Sequence, residues 1–172
     1  TNTAVVVEGY TDCIIAHQYG RTNVVGTLGT ALSELHVTSL KRLARKVVLI
    51  YDGDKAGQNA AERVLVKFLA QDVDLRILSL PNEMDPADFL AARGATELRT
   101  MIEQAPEAWE FKLAAEIARY GLESLDAQRR VLDSMLELVS GASRLAGTIE
   151  EDILLQKLSQ KTGVSEQAVR NR

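Results

Sequence analysis

The sequence holds one cysteine, Cys13, in 172 residues. A single thiol excludes an internal disulfide framework and any cysteine-based zinc site, and it fits a reducing compartment. No apolar run approaches the roughly 20 residues needed to span a bilayer, and no signal-peptide pattern precedes the first strand. No unit repeats, and no segment reads as a low-complexity linker. A basic excess is missing too. Twenty Lys+Arg stand against 24 Asp+Glu, giving a net charge of −4, which excludes a generally basic nucleic-acid coat. The balance is uneven, with six basic and five acidic residues up to Lys55, then 14 and 19 from Ala56 onward. Contact with a polyanion is therefore expected to be local or to run through bound cations. The opening Thr-Asn-Thr and the closing Arg-Asn-Arg lead us to expect a piece of a longer protein.

What is present is first a set of strands separated by helices. Ala4–Val7 is a continuous β-branched run ending in Glu8-Gly9, the pattern of a strand buried on both faces. A short helix is expected over Asp12 to Tyr19, stopped at Gly20, then a strand over Asn23–Val25. Ser33 caps a second helix whose apolar face is read as Leu35, Leu40 and Leu43. Val47–Tyr51 is the second strongly apolar strand and runs directly into Asp52-Gly53-Asp54. Ala56, Ala60, Val64 and Phe68, flanked by Ala61, Leu65 and Leu69, recur at helical spacing, and Val73–Leu80 supplies a fourth strand closed by Pro81. Alternating strands and helices predict a parallel α/β sheet.

Beyond about Asp85 no β-branched run appears and the chain reads as helices. Asp85-Pro86 opens one with cap and proline in favoured places. Pro106 begins a stretch around Trp109, Leu113 and Ile117 that Gly121 ends. Ser124–Val139 carries Leu125, Leu132, Leu136 and Val139. Thr148-Ile-Glu-Glu151 is a capping box ahead of Ile153, Leu154 and Leu158, and Ser165 caps a last short helix. The expected domains are residues 1–95, α/β, and 96–172, helical.

The informative carboxylates are set apart by position. Glu8 ends one buried strand, and Asp52 and Asp54 end another, where open parallel sheets form their ligand crevice. Residues two apart on an extended segment point the same way, so Asp52 and Asp54 can face one site across Gly53. Converging carboxylates repel unless protonated or neutralised, and hard oxygen donors suit Mg²⁺ or Mn²⁺. Two such ions can activate a hydroxyl and stabilise a leaving oxygen in phosphoryl transfer. Each residue also has a plainer reading. Asp-Gly-Asp is common turn chemistry with Asp54 as a helix cap, Asp85 before Pro86 is explained by capping, and Asp12 by a helix start. Glu8 is harder to dismiss, since an acid closing a buried Val-Val-Val strand needs partners or ions. Gly26-Thr-Leu-Gly-Thr30 is read first as a strand-to-helix loop, with phosphate binding as the lesser option. Lys41-Arg42 with Arg45-Lys46 is the densest basic cluster and reads as a solvated helix face before a nucleic-acid contact. His17 and His36 are assigned to packing or surface, Cys13 to a small buried hydrophobe and Trp109 to a core anchor.

Together these strings resemble a known arrangement. Val5-Val-Val-Glu-Gly-Tyr-Thr-Asp12, Gly29-Thr-Ala-Leu32, Tyr51-Asp-Gly-Asp-Lys-Ala-Gly57 and Asp85-Pro86 are similar to the Toprim domain of bacterial DnaG-type primases. The resemblance covers Ala4 to about Gly94, and the helical remainder is similar in kind to the helical subdomain that follows Toprim in primases. It implies a Toprim-type parallel sheet flanked by helices, followed by a small all-helical subdomain. It implies that Glu8 is the catalytic acid and a metal ligand, with Asp52 and Asp54 holding divalent cations, two Mg²⁺ or Mn²⁺ ions. Asp12 and Asp85 would be supporting acids and further ligands, and Lys55 would sit near phosphate. The family often reads Asp-Pro-Asp at its last motif, whereas here Asp85-Pro86-Ala87-Asp88 stands, so one auxiliary acid is missing or displaced. The implied activity is DNA-directed RNA polymerisation, making short RNA primers from NTPs on a single-stranded DNA template. The implied partners include an RNA–DNA hybrid and a replicative helicase, the latter through a carboxy-terminal domain expected to be absent from this chain. Zinc is expected only in an upstream domain likewise absent. A monomer in the bacterial cytoplasm, near the nucleoid and off the membrane, is expected. Other readings are a Toprim nuclease, the primase half of a primase–helicase, or a non-catalytic α/β docking module.

Overall fold

A computed structural model describes residues 2–29, 32–51, 64–69, 71 and 73–172. The chain divides into two compact units, Thr1–Ala108 and Trp109–Arg172.

The first unit is built on four strands, β1 (Thr3–Val7), β2 (Val24–Gly26), β3 (Lys46–Tyr51) and β4 (Asp74–Ser79). All pair in parallel in the order β2-β1-β3-β4. Its helices are α1 (Tyr10–Gln18), α2 (Glu34–Leu43), a helical stretch at residues 64–69 labelled α3, and α4 (Pro86–Gln104). The predicted parallel α/β sheet is thus present. Every residue of the inner strands β1 and β3 beyond the first is buried, as their unbroken β-branched and aliphatic runs require.

Side chains alternate across the sheet. Val5, Val7, Val48, Ile50 and Leu78 share one face, where they pack with Ala16 of α1 and Phe89, Leu90, Leu98 and Ile102 of α4. Each such fully buried side chain contributes about 1.5–3 kcal/mol. Gly94, at φ 79 and ψ 170, kinks α4.

Several boundaries and faces differ from expectation. Helix α1 starts at Tyr10 rather than Asp12, because Gly9 is its N-cap and Asp12 sits in its first turn. On α2 the buried residues are Val37 and Leu40, while Leu35 and Leu43 are 78% and 72% exposed. Val37, Leu40 and Ala44 follow helical spacing, and Leu35 and Leu43 lie off that stripe. Ser33 caps α2 as expected, and His36 completes the box by accepting from the Ser33 N–H at 3.2 Å. Cys13 is half-buried rather than buried, its thiol donating to the Val24 carbonyl at 3.4 Å. His17 Nε2 lies 2.8 Å from the same carbonyl oxygen, tying α1 to β2.

The second unit is helical: α5 (Ala108–Tyr120), α6 (Leu125–Gly141), α7 (Ile149–Thr162) and α8 (Glu166–Arg170). Caps at Thr148 and Ser165 accept main-chain N–H groups where the sequence places them, and Ser124, not read as a cap, does the same for α6. Glu151 reaches back to the Gly147 N–H at 2.7 Å, one residue beyond the usual box partner. Trp109 is buried as expected, and so are Val131, Leu132, Met135, Leu138, Leu155 and Leu158. Leu125 and Ile153, read as apolar-face residues, are 86% and 47% exposed. Leu155, Leu158 and Thr162 are the residues that α7 turns inward.

Candidate functional site at the carboxyl edge of the sheet

The strand order fixes where a ligand crevice can form. The chain leaves β1 for β2 on one side and returns to β3 on the other, so the connections diverge between β1 and β3. The carboxyl ends of these two strands are Val7 and Tyr51. Glu8 follows the first directly and is exposed. Val6 pairs with Leu49, so continuing the register by two residues sets Glu8 level with Tyr51. Tyr51 is buried, and that burial, reinforced by the Glu8 charge, holds its phenol well above the ordinary tyrosine value. Asp52, Asp54 and Lys55, the residues expected to complete the site, lie outside the described residues.

The loop after β2 is tied to the end of β1 by two main-chain bonds. Thr27 N–H donates to the Val7 carbonyl at 3.0 Å and Gly29 N–H to the Glu8 carbonyl at 3.4 Å. This loop carries Leu28 at φ 57, a left-handed conformation rare for a leucine, with its side chain 67% exposed. A Cβ added at Gly26 would come within 3.2 Å of the Gly9 carbonyl oxygen, so the loop passes close because it carries a glycine there.

Asp12 and Asp85, 73 positions apart in sequence, meet at the same edge. Asp12 is 9% exposed, and Ala87 N–H donates to its Oδ1 at 3.4 Å. Burial, then the neighbouring Asp85 charge, pushes the Asp12 carboxyl up, opposed by main-chain N–H bonds from Ala87, Gly9 and Asp12 itself. Asp85 is the N-cap of α4, its Oδ1 accepting from Asp88 N–H at 2.7 Å. Gly9 and the Ala87 main chain were not legible as site elements. The signal for Gly9 was its place between an acid and a helix start; Ala87 acts through a backbone N–H that no side-chain pattern reveals.

Among the described residues no group of three His, Cys, Asp or Glu side chains could hold a metal ion. The donor chemistry nonetheless fits a hard cation: Glu8, Asp12 and Asp85 offer carboxylate oxygens, and Asp52 and Asp54, the other two expected ligands, lie outside the described residues. No described helix is long and apolar enough to cross a membrane.

A parallel sheet with an exposed acid, Glu8, at the carboxyl end of an inner strand narrows the class, and comparison with known proteins gives the family. The Toprim-like family matches residues 5–90, and the chain belongs to it. Residues 110–167 match the DnaB-helicase binding domain of primase. The helical stretch, expected to be the subdomain that follows Toprim, is the part that carries that match. A DNA primase of Clostridium acetobutylicum is 33% identical over 168 residues, 98% of this chain and 28% of the relative. A crystal structure of a DNA primase domain from Pseudomonas aeruginosa superposes with a TM-score of 0.86 at 31% identity, over 99% of this chain and 54% of that one. A DnaG primase catalytic domain bound to ssDNA superposes at 0.79 with 30% identity, covering 93% and 52%. The chain thus spans about a quarter of that curated relative and about half of each solved neighbour. The helicase-binding match and the catalytic-domain superposition overlap: a fit covering 93% of the chain takes in most of residues 110–167.

Proposed function

We propose that this chain is the Toprim and following helical portion of a DNA primase, a DNA-directed RNA polymerase that makes short RNA primers. The observation that carries the reading is the exposed Glu8 at the divergence point between β1 and β3, level with the residue that precedes Asp52. Glu8, Asp52 and Asp54 would hold divalent cations, Mg²⁺ or Mn²⁺, with Asp12 and Asp85 behind them and Lys55 toward phosphate. Bound there, such ions supply charge stabilisation for a pentacovalent phosphorus. In the reaction a primer 3′-hydroxyl attacks the α-phosphate of an incoming NTP, forming one phosphodiester bond as pyrophosphate leaves. This chain's part would be to orient the triphosphate at the sheet edge through Glu8, Asp52 and Asp54.

The relatives support the remaining partners: a neighbour bound to ssDNA suggests a single-stranded template, and the helicase-binding match suggests that the helical unit meets a replicative helicase. We take residues 1–95 as the Toprim part and 96–172 as the helical part, acting as a monomer in the bacterial cytoplasm. The near-neutral charge of this chain fits a template-binding surface supplied largely by other parts of the protein, so these 172 residues alone would make primers poorly.

The test is template-dependent NTP incorporation by the full-length protein with and without Glu8→Gln. Loss of about a thousandfold in rate with the fold intact supports the reading; an unchanged rate overturns it.

A further inference from the structure

Helix α4 accounts for its first N–H groups in an unusual way. A helix leaves its first-turn N–H groups without intrahelical partners. In α4 the first position is Pro86, which has no N–H. Asp88 N–H is taken by the Asp85 side chain at 2.7 Å, and Phe89 N–H by the Asp85 carbonyl at 3.0 Å. The remaining donor, Ala87 N–H, is taken by Asp12 of another helix. Asp12 also stands at the third position of α1, with its Oδ2 folded back against Gly9, the N-cap of that helix. One buried carboxylate therefore receives an N–H at the start of α4 while packing against the start of α1.

The fit is close. A Cβ at Gly9 would fall on Asp12 Oδ2 and within 3.4 Å of Thr11 Oγ1, so the motif Glu8-Gly-Tyr-Thr-Asp12 needs glycine in its second place to let the carboxylate fold back. Gly9 has φ −88 and ψ 149, open to any residue, so the requirement is close approach rather than backbone freedom. The bond at Ala87 does not depend on its side chain. That position contributes its main-chain N–H to Asp12, a role alanine fills as well as aspartate would.

We propose that Asp12 is a positioning residue, a buried tie that locks the turn carrying Glu8 to the turn carrying Asp85, rather than a cation ligand. This rests on the reading of Glu8 as a ligand and deepens it. Groups behind a ligand orient it, and their loss typically weakens metal binding about 10- to 100-fold.

The experiment uses the full-length protein with Mn²⁺ alone as probe, titrated by electron paramagnetic resonance, beside hydrogen exchange of segments 8–14 and 84–90. Asp12→Ala should raise exchange in both segments about tenfold and weaken Mn²⁺ binding about tenfold. Asp12→Asn keeps an acceptor oxygen while losing the charge, and should hold both readouts within about threefold of wild type. Glu8→Gln should lose Mn²⁺ while leaving exchange in 84–90 unchanged. Equal loss of Mn²⁺ in the Asn and Ala variants, with wild-type exchange in 84–90, would make Asp12 a ligand and overturn the proposal. If Glu8→Gln keeps Mn²⁺ affinity, the functional reading fails, and the exchange data on Asp12→Ala still decide whether the tie exists.

Discussion

Glu8 and Tyr51 stand level at the carboxyl ends of neighbouring parallel strands, one exposed and charged, the other buried and neutral. Tyr51 is held protonated first by its burial and then by the Glu8 charge. Its native value lies above its unfolded value of about 10, so the stability it contributes is complete below that pH and falls as pH rises beyond it. Glu8→Gln should shift the alkaline unfolding midpoint to higher pH, because the native phenolate is then less disfavoured. Tyr51→Phe should remove this part of the pH dependence. Thermal melts between pH 9 and 11 for the three proteins provide the check, and identical curves would mean that Glu8 and Tyr51 do not interact.

Gly9 is predicted to be intolerant of even a methyl group. Its added Cβ would meet Oδ2 of the buried Asp12 carboxyl, whose Oδ1 is held by the Ala87 N–H, not the free end of a mobile side chain. Gly9→Ala should cost about 1–3 kcal/mol, the usual range for overpacking a filled site. Gly26→Ala, whose Cβ would stand 3.2 Å from the Gly9 carbonyl, should cost less because a shift of a few tenths of an ångström suffices. Urea unfolding of the two variants tests the order.

Leu28 holds a left-handed conformation with most of its side chain in solvent. Leucine there carries roughly 1–2 kcal/mol of strain that glycine lacks, partly offset by the greater freedom of glycine in the unfolded chain. Leu28→Gly should therefore be neutral to stabilising by up to about 1 kcal/mol, and Leu28→Val destabilising. Melting temperatures of the two variants should move in opposite directions or diverge from the parent by unequal amounts.

The strands were legible because burial on both faces leaves an unbroken apolar run, and β1 and β3 are such runs. Helix caps were legible because Ser33, Asp85, Thr148 and Ser165 act locally, within three residues of the N–H they receive. Helix faces were less so. Leu35, Leu43, Leu125 and Ile153 are leucines and isoleucines at helical spacing whose exposure is decided by what the sheet or the neighbouring helix covers. The candidate site was legible in part: Glu8 stands out because an acid ending a buried strand is costly. The meeting of Asp12 with Ala87 spans 75 positions and depends on α1 and α4 packing on one sheet face, which no local pattern encodes.

In the helical unit, Lys112 and Glu116 form an ion pair one turn apart on α5 with side chains only 8% and 5% exposed. Removing one charge from such a pair strands the other in a poorly solvated place, at a cost of about 3–5 kcal/mol. Replacing both by apolar residues of similar length removes the desolvation penalty along with the attraction, and is often neutral or stabilising. Lys112→Met alone should therefore destabilise the protein strongly. The double variant Lys112→Met with Glu116→Leu should recover most of that loss. A double-mutant cycle by chemical denaturation measures the coupling. Additive losses would show that the two charges are satisfied by other groups and that their pairing contributes little.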